Sequence, residues 1–184
     1  ESIVVFAGPH MKAYVDDVVS QPFVDHAIIG EYEIPILDIV KKYPNGDLIY
    51  RYQFVDDINE LPNGGNFVPY RDNTRLGPYY DPSMKTPRIQ LQVSASRGCP
   101  FKCTYCQWPN TLNGGRYRPR SSDNVIAEIQ NMKDQLGGSL GSIFFDDDTW
   151  NLGNTRISKM CDGLKALGVC WTMMGRIDTS NTEI

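Results

Sequence analysis

Short apolar runs and longer amphipathic stretches alternate along the first 43 residues of the chain. Apolar, β-rich runs at residues 3–6 and 27–29 predict two buried strands. Residues 12–19 are compatible with a short helix, and residues 31–43 predict a second helix with lysines near its end, as the helix dipole prefers. The apolar residues of this second helix recur at roughly helical spacing: Ile34, Leu37, Ile39 and Val40. The order strand, helix, strand, helix predicts α/β organisation with a parallel sheet.

The composition changes in residues 44–87, which are rich in Pro, Gly, Asn, Asp and Tyr. One short strand is predicted there, at residues 48–54, and no periodic pattern is sustained. The segment is too aromatic for a flexible linker, so we interpret it as an ordered connector that packs across a domain surface.

A second unit is predicted to begin at Arg88, again with strands and helices in alternation. Three strands are predicted, at residues 88–96, 142–148 and 169–175. An amphipathic helix at residues 122–136 lies between the first and second strands, another at residues 155–167 lies between the second and third, and glycine follows each of them. The apolar face of the first helix consists of Val125, Ile129, Met132 and Leu136, and that of the second of Ile157, Met160, Cys161 and Leu164. This order predicts parallel strands with right-handed crossovers, in an open doubly wound sheet or in part of a barrel.

Composition and charge exclude several functional classes. The hydrophobic fraction of 41% with 22% charged residues is typical of a globular protein. A formal net charge of -4 disfavours a surface that coats nucleic acid, and no run reaches the roughly 18 apolar residues of a membrane helix. The chain starts without Met in a strand-like run, and a helix is predicted to begin close to its end, at Thr179 or Ser180, so we expect both termini to be cuts.

Three of the five cysteines lie within the segment "RGCPFKCTYC", spaced C-x-x-x-C-x-x-C. A disulfide scaffold would be denser and more evenly spread, so a reducing, cytoplasmic location is expected. Structural zinc needs four protein ligands, and the fourth would have to be a remote residue such as Cys161 or Cys170. Iron–sulfur clusters use the same thiolates, and three thiolates on a cubane leave one iron open for chemistry. Iron–sulfur, zinc and plain buried thiols all remain open at this point. The loop follows the carboxyl end of a predicted strand, the edge that carries active sites in parallel α/β folds.

The same segment resembles the signature of radical S-adenosylmethionine (radical SAM) enzymes, with Tyr105 at the aromatic position before the last cysteine. The resemblance implies that Cys99, Cys103 and Cys106 bind three irons of a 4Fe-4S cluster. It implies that SAM chelates the fourth iron, that the backbone around Tyr105 faces the adenine, and that a 5′-deoxyadenosyl radical forms. An external electron donor of flavodoxin or ferredoxin type would be required.

Two later segments resemble one branch of the same superfamily. "FDDDTW" at residues 145–150 resembles an F-x-D-D-x-aromatic segment, which implies that Asp147 and Asp148 hold the SAM amino group. A solvated turn after a strand is the alternative for these acids. "GRID" resembles the end of the third strand in that branch, which implies that Arg176 pairs with the SAM carboxylate or forms a structural salt bridge.

The N-terminal unit resembles the last part of a cobalamin-binding Rossmann-like domain. Gly8, Pro9 and His10 match a G-G-P-H strand ending, with Ala7 in place of the first Gly, and Gly30 and Glu31 match a G-E-x-E ending. Small residues there would let the cofactor approach the backbone, whereas the alternative is an ordinary turn after a buried strand. The axial-histidine motif of this family, D-x-H-x-x-G, is absent from the sequence. The segment "DHAIIG" at residues 25–30 looks similar, but it has a different spacing.

Together these features predict an α/β chain: the C-terminal part of a Rossmann-like (flavodoxin-like) domain at residues 1–45, a connector at 46–87, and the first half of a radical SAM partial (β/α)6 TIM-like barrel at 88–184. The expected reaction is radical methyl transfer, cyclisation or rearrangement, and the resemblance implies that cobalamin assists it as a third cofactor. A radical SAM enzyme with a vestigial cobalamin domain, and a non-catalytic zinc or iron–sulfur α/β module, are the alternatives. The substrate, a small molecule or a peptide, is not specified by this sequence; no nucleic acid and no transmembrane segment are expected.

Overall fold

The computed structural model describes residues 2–51, 55–59, 61, 82–108 and 115–179. The chain divides into two compact units, one formed by residues 1–56 and 98–117 and the other by residues 57–97 and 118–184. The cysteine loop therefore belongs to the first compact unit, although the strands on either side of it belong to the second. The predicted Rossmann-like and barrel identities of the two parts remain predictions.

Unit 1 contains a parallel three-stranded sheet in the order β1-β2-β3. Its elements in chain order are β1 (Val5–Phe6), α1 (Met11–Val19), β2 (His26–Ile29), α2 (Glu33–Lys42) and β3 (Ile49–Arg51). The parallel sheet expected from the alternating pattern is confirmed. Because β3 pairs with β2, the sheet continues beyond residue 45 into the predicted connector, most of which lies outside the described residues.

The apolar face predicted for α2 is only partly buried. Ile39 is buried at 2% exposure, whereas Ile34, Leu37 and Val40 are exposed among the described residues. Three of the four residues at helical spacing thus lie at the surface, so the periodicity identified the helix, although most of these apolar residues are not buried. The described part of unit 1 has two small apolar clusters, around Met11 and around Ile28, and only Ile39 of α2 reaches one of them.

Unit 2 is built on a second parallel sheet, in the order β4-β7-β8. The strands are β4 (Gln90–Val93), β7 (Ser142–Phe145) and β8 (Cys170–Met173). Their registers align Val93 with Phe145 and Phe145 with Met173, so all three strands end at the same edge. The parallel crossovers expected from the sequence are confirmed, while a half-barrel stays a prediction.

Two helices pack together in unit 2 and supply much of its core. They are α3 (Ser122–Gln135) and α4 (Asn154–Leu167). The predicted faces are buried, with Val125, Ile129, Met132 and Leu136 from α3 and Ile157, Met160 and Leu164 from α4 in one cluster. Cys161 is half-buried and packs against that cluster, so its thiol has an apolar environment rather than a ligand environment.

Two short strands were not predicted. β5 (Ser96–Arg97) and β6 (Arg118–Pro119) form an antiparallel ribbon that pairs Ser96 with Pro119 and Arg97 with Arg118. Strands of two residues are too short to give an alternating pattern, which is why the sequence did not reveal them. A 3-10 turn lies at Ile177–Thr179, and the helix expected to begin at Thr179 or Ser180 would occupy residues 180–184, which lie outside the described residues.

Candidate functional site

The cysteine loop leaves and rejoins unit 2 through the β5–β6 ribbon. The Arg120 amide donates a hydrogen bond of 2.9 Å to the Ala95 carbonyl, which extends the ribbon by one further contact. Gly98, immediately before the first cysteine, has φ of +81°, a backbone conformation that favours glycine. The chain thus turns sharply at the point where the ribbon gives way to the loop.

Within the loop, the described residues run from Gly98 to Trp108, with a turn in which the Cys106 amide donates to the Cys103 carbonyl at 3.0 Å. All three cysteines are half-buried, and none of the five cysteines is in a disulfide. Tyr105 is 89% exposed, so its ring lies outside the apolar core.

The chemistry of the three loop side chains fits a soft metal, because thiols ionise to the thiolates that bind iron and zinc. Their arrangement is open rather than convergent. Among the described residues, no three His, Cys, Asp or Glu side chains are gathered closely enough to hold a metal ion. The assignment of Cys99, Cys103 and Cys106 to a cluster therefore remains a prediction from the sequence.

The three consecutive acids after β7 have different environments. Asp146 is exposed, Asp148 is half-buried and Asp147 is only 3% exposed. The Oδ2 atom of Asp147 accepts a hydrogen bond of 3.1 Å from the Ala95 amide, and its Oδ1 atom accepts one from the Ser96 hydroxyl. Asp147 thus bonds to the chain between β4 and the cysteine loop, a contact that the sequence did not predict.

Burial raises the pKa of Asp147 from its ordinary value near 3.8 to about 6. The hydrogen bonds from Ser96 and Ala95 and the positive charge of Arg156 oppose this shift, because they stabilise the ionised form. Desolvation is the larger effect, since the carboxylate has lost most of its contact with water. The group accordingly changes charge close to neutral pH.

Two arginines hold the neighbouring carbonyl groups. Arg120 donates from Nη1 to the Ser94 carbonyl at 2.8 Å, and Arg156 donates from Nη2 to the Ala95 carbonyl at 3.0 Å. Arg120 also forms an ion pair with Glu128, with 2.6 Å between Nη2 and Oε2 and with both side chains buried. Sequence reasoning missed these residues, because a charged side chain on a helix or in a loop is normally solvated.

Arg176 forms a local ion pair at the end of β8. Its Nε and Nη2 atoms both bond to the carboxylate of Asp178, with Nε at 2.9 Å from Oδ1. Asn151 fixes the backbone of Arg176, accepting from its amide at 2.9 Å and donating to its carbonyl at 2.6 Å. The ion pair with Asp178 has the form of the structural salt bridge that was one of the two alternatives for Arg176. The role of Asn151 was not predicted from the sequence.

The predicted cobalamin residues follow the first two strands of unit 1. Gly8 has φ of +108° and Gly30 has φ of +99°, so each glycine satisfies a turn that other residues rarely adopt. A Cβ atom added to Gly8 would meet no atom within 4 Å, which means that crowding does not explain this glycine. The ring of His10 stacks on Tyr14 at a centroid distance of 4.4 Å.

Two further residues of this set have contrasting surroundings. Pro9 is exposed at the start of the turn that leads into α1. Glu31 is 5% exposed, and its Oε2 atom accepts a hydrogen bond of 3.3 Å from the Val55 amide. Glu31 therefore contributes to the packing of unit 1, and its assignment to cobalamin stays a prediction.

No helix of the described segments combines the length and the apolar composition needed to cross a membrane.

Comparison with curated proteins identified several distant relatives. The chain is 25% identical to an uncharacterised methyltransferase of Pyrococcus horikoshii, over 98% of this chain and 41% of the relative. It is 26% identical to an anaerobic magnesium-protoporphyrin IX monomethyl ester cyclase of Rubrivivax gelatinosus, over 95% of this chain and 34% of the relative. It is 30% identical to a bacteriochlorophyllide d C-12(1)-methyltransferase of Chlorobaculum tepidum, over 44% of this chain and 18% of the relative.

The chain thus spans about two fifths or less of the length of these relatives. No family profile matches the chain, and no solved structure matches it either.

Proposed function

We propose that this chain is part of a radical SAM enzyme in which Cys99, Cys103 and Cys106 hold a 4Fe-4S cluster. The observation that carries the proposal is the three-thiol segment that follows the carboxyl end of the parallel strand β4 in the chain, after a ribbon whose Ser96 is bonded to the buried Asp147. In parallel α/β folds this edge is where active sites are built. When bound, the cluster and SAM would supply reductive cleavage of SAM to a 5′-deoxyadenosyl radical.

The names of the relatives support the reaction class at low identity. Methyl transfer and cyclisation are two of the three reactions that the sequence resemblance implies, and the relatives are named as methyltransferases and a cyclase. An enzymatic function is therefore better supported than a non-catalytic metal module. The substrates in those names belong to the relatives.

The chain's own residues have separate tasks under this proposal. Half-burial of the three thiols would limit contact of a bound cluster with water. Tyr105, which is largely exposed, and Asp148, which is half-buried, are the residues proposed to contact SAM. Arg176 is proposed to contribute to SAM binding while its Nε and Nη2 atoms bond to the two carboxylate oxygens of Asp178.

Anaerobic reconstitution of the full-length protein with iron and sulfide tests the proposal. We expect a broad visible absorption and about four irons per chain. Both should be lost in Cys103→Ala and retained in Cys170→Ala, an exposed cysteine of β8 that serves as the matched control. Formation of 5′-deoxyadenosine from SAM under reductant would establish the activity. A colourless protein with one bound zinc would instead indicate a non-catalytic module.

We further propose that the enzyme uses cobalamin, held near Gly8 and Gly30 by unit 1. The support is the position of these two glycines, Gly30 directly after β2 and Gly8 two residues after β1, in parallel strands of the same sheet. Purified full-length protein should retain a corrinoid, detectable by its visible spectrum, and substitution of Gly8 by Leu should weaken retention. A protein that retains none would support the vestigial-domain alternative.

A further inference from the structure

Asp147 directs both carboxylate oxygens at the chain segment that precedes the cysteine loop. Its partners are the amide of Ala95 and the hydroxyl of Ser96, and the side chain is 3% exposed. A carboxylate that is this buried must be compensated by hydrogen bonds or by a nearby charge, and here the segment supplies the hydrogen bonds. The contact therefore ties the end of β7 to the end of β4.

Ser96 is the residue through which this contact reaches the loop. It is three positions before Cys99, and it pairs with Pro119 on the returning strand of the ribbon. The bond to Asp147 therefore restrains Ser96, just before the cysteine loop, and its strand partner Pro119, just after the loop. A displacement of Ser96 would also displace Cys99, because only two residues separate them in the chain.

Other charged side chains bond to the same segment through its carbonyl groups. Arg120 and Arg156 bond to the carbonyls of Ser94 and Ala95, and Glu128 pairs with Arg120. Two basic groups, Arg120 and Arg156, and two acidic groups, Glu128 and Asp147, thus surround a segment of three residues. The Arg120–Glu128 pair is costly to disturb, because removing one member leaves the other buried and unpaired.

We infer that Asp147 is a positioning residue for the cysteine loop, acting through Ala95 and Ser96 rather than through contact with SAM. This inference rests on the proposed function, since it assigns the role of Asp147 within the same site. It changes the role implied by the sequence resemblance, in which Asp147 and Asp148 share the SAM amino group. Asp148 keeps its proposed role and Asp147 receives a different one.

The test compares four variants of the full-length protein after anaerobic reconstitution. Asp147→Ala removes both acceptors, Asp147→Asn keeps one acceptor oxygen, and Ser96→Ala removes the hydroxyl that Asp147 binds. Asp146→Ala is the matched control, because it removes the exposed neighbouring carboxylate. The measurements are the rate of iron release to a chelator and the change that SAM makes in the electron paramagnetic resonance spectrum of the reduced cluster.

We expect iron release about tenfold faster in Asp147→Ala, from the loss of two buried hydrogen bonds, and a smaller acceleration in Ser96→Ala. Asp147→Asn should recover most of the wild-type rate, and Asp146→Ala should match the wild type. SAM should still change the spectrum of every variant that retains its cluster. Should Asp147→Ala not fold, the comparison of Ser96→Ala and Asp147→Asn with the wild type decides the question.

Two results would overturn the inference while leaving the proposed function intact. One is wild-type rates of iron release in both Asp147→Ala and Ser96→Ala. The other is a normal release rate combined with loss of the spectral response to SAM in the Asp147 variants, which would show direct contact with SAM. Wild-type protein that takes up no cluster would remove the proposed function and this inference together.

Discussion

Asn151 binds the backbone of Arg176 on both sides, accepting from its amide at 2.9 Å and donating to its carbonyl at 2.6 Å. A side-chain amide has one acceptor and one donor group, so it can replace a strand partner for a single residue. The Arg176 guanidinium is then held next to Asp178. The turn after β8 is thus fixed by a residue from the segment after β7.

Replacement of Asn151 by Ala should destabilise unit 2. Both backbone groups of Arg176 would lose a partner, and Asn151 is 8% exposed, so we expect a loss of about 1–3 kcal/mol in the free energy of unfolding. Urea unfolding would measure the change. Asn154→Ala, at an exposed position at the start of α4, is the control and should be close to neutral. An equal effect of the two substitutions would contradict this role for Asn151.

The contact between α3 and α4 requires glycine at position 163. A Cβ atom there would lie 2.6 Å from Cγ1 and 2.7 Å from Cδ1 of Ile126, which is closer than non-bonded carbon atoms approach. Gly163→Ala should therefore cost about 1–3 kcal/mol of stability despite the higher helix propensity of Ala. Adding Ile126→Val should recover part of that loss, because it removes the Cδ1 methyl. Additive effects of the two substitutions in a double-mutant cycle would show that they do not meet.

The ion pair of Arg120 and Glu128 should be far more sensitive to substitution than an exposed pair. Glu128→Gln leaves a buried guanidinium without its counter-charge, at a cost of about 3–5 kcal/mol. Asp178→Asn breaks the solvent-exposed pair with Arg176 in the same unit and should cost far less, because water screens that pair. Chemical denaturation of the two variants compares the costs. A small cost for Glu128→Gln would mean that water reaches the pair.

Asp147 should make stability fall as the pH rises. Its pKa is about 6 in the folded protein against an ordinary 3.8, so the folded state binds more protons than the unfolded state between these values. Its contribution is full below pH 4 and is lost as the pH passes 6. The difference of about 2 pH units corresponds to about 3 kcal/mol.

Unfolding of Asp147→Asn at several pH values measures this effect. The stability of the variant relative to the wild type should increase between pH 4 and pH 7, because the amide does not ionise. Asp146→Asn controls for the removal of one nearby charge. Parallel pH profiles for the wild type and Asp147→Asn would contradict the raised pKa.

Hydrophobic periodicity predicted the helices and the strands of the two parallel sheets, but not the two-residue strands β5 and β6. The spacing of Val125, Ile129 and Met132 identified α3 and its buried face, because a helix repeats every 3.6 residues whatever its partner is. The same argument identified α2, but it did not reveal that most of the apolar side chains of α2 are exposed, among them Val40 at 68% exposure. Periodicity shows which residues share a face, whereas burial of that face depends on what covers it.

The sequence by itself determined the alternating α/β order, the parallel strands and the three-thiol loop, because each follows from residues that are close together in the chain. Only the tertiary structure decided that Asp147 faces Ala95, 52 positions earlier, and that Asn151 holds Arg176, 25 positions later. Asp146, Asp147 and Asp148 are chemically identical in sequence. They differ in the folded protein because the carboxyl ends of β4 and β7 meet at one edge, where only Asp147 is buried against the segment that leads into the cysteine loop.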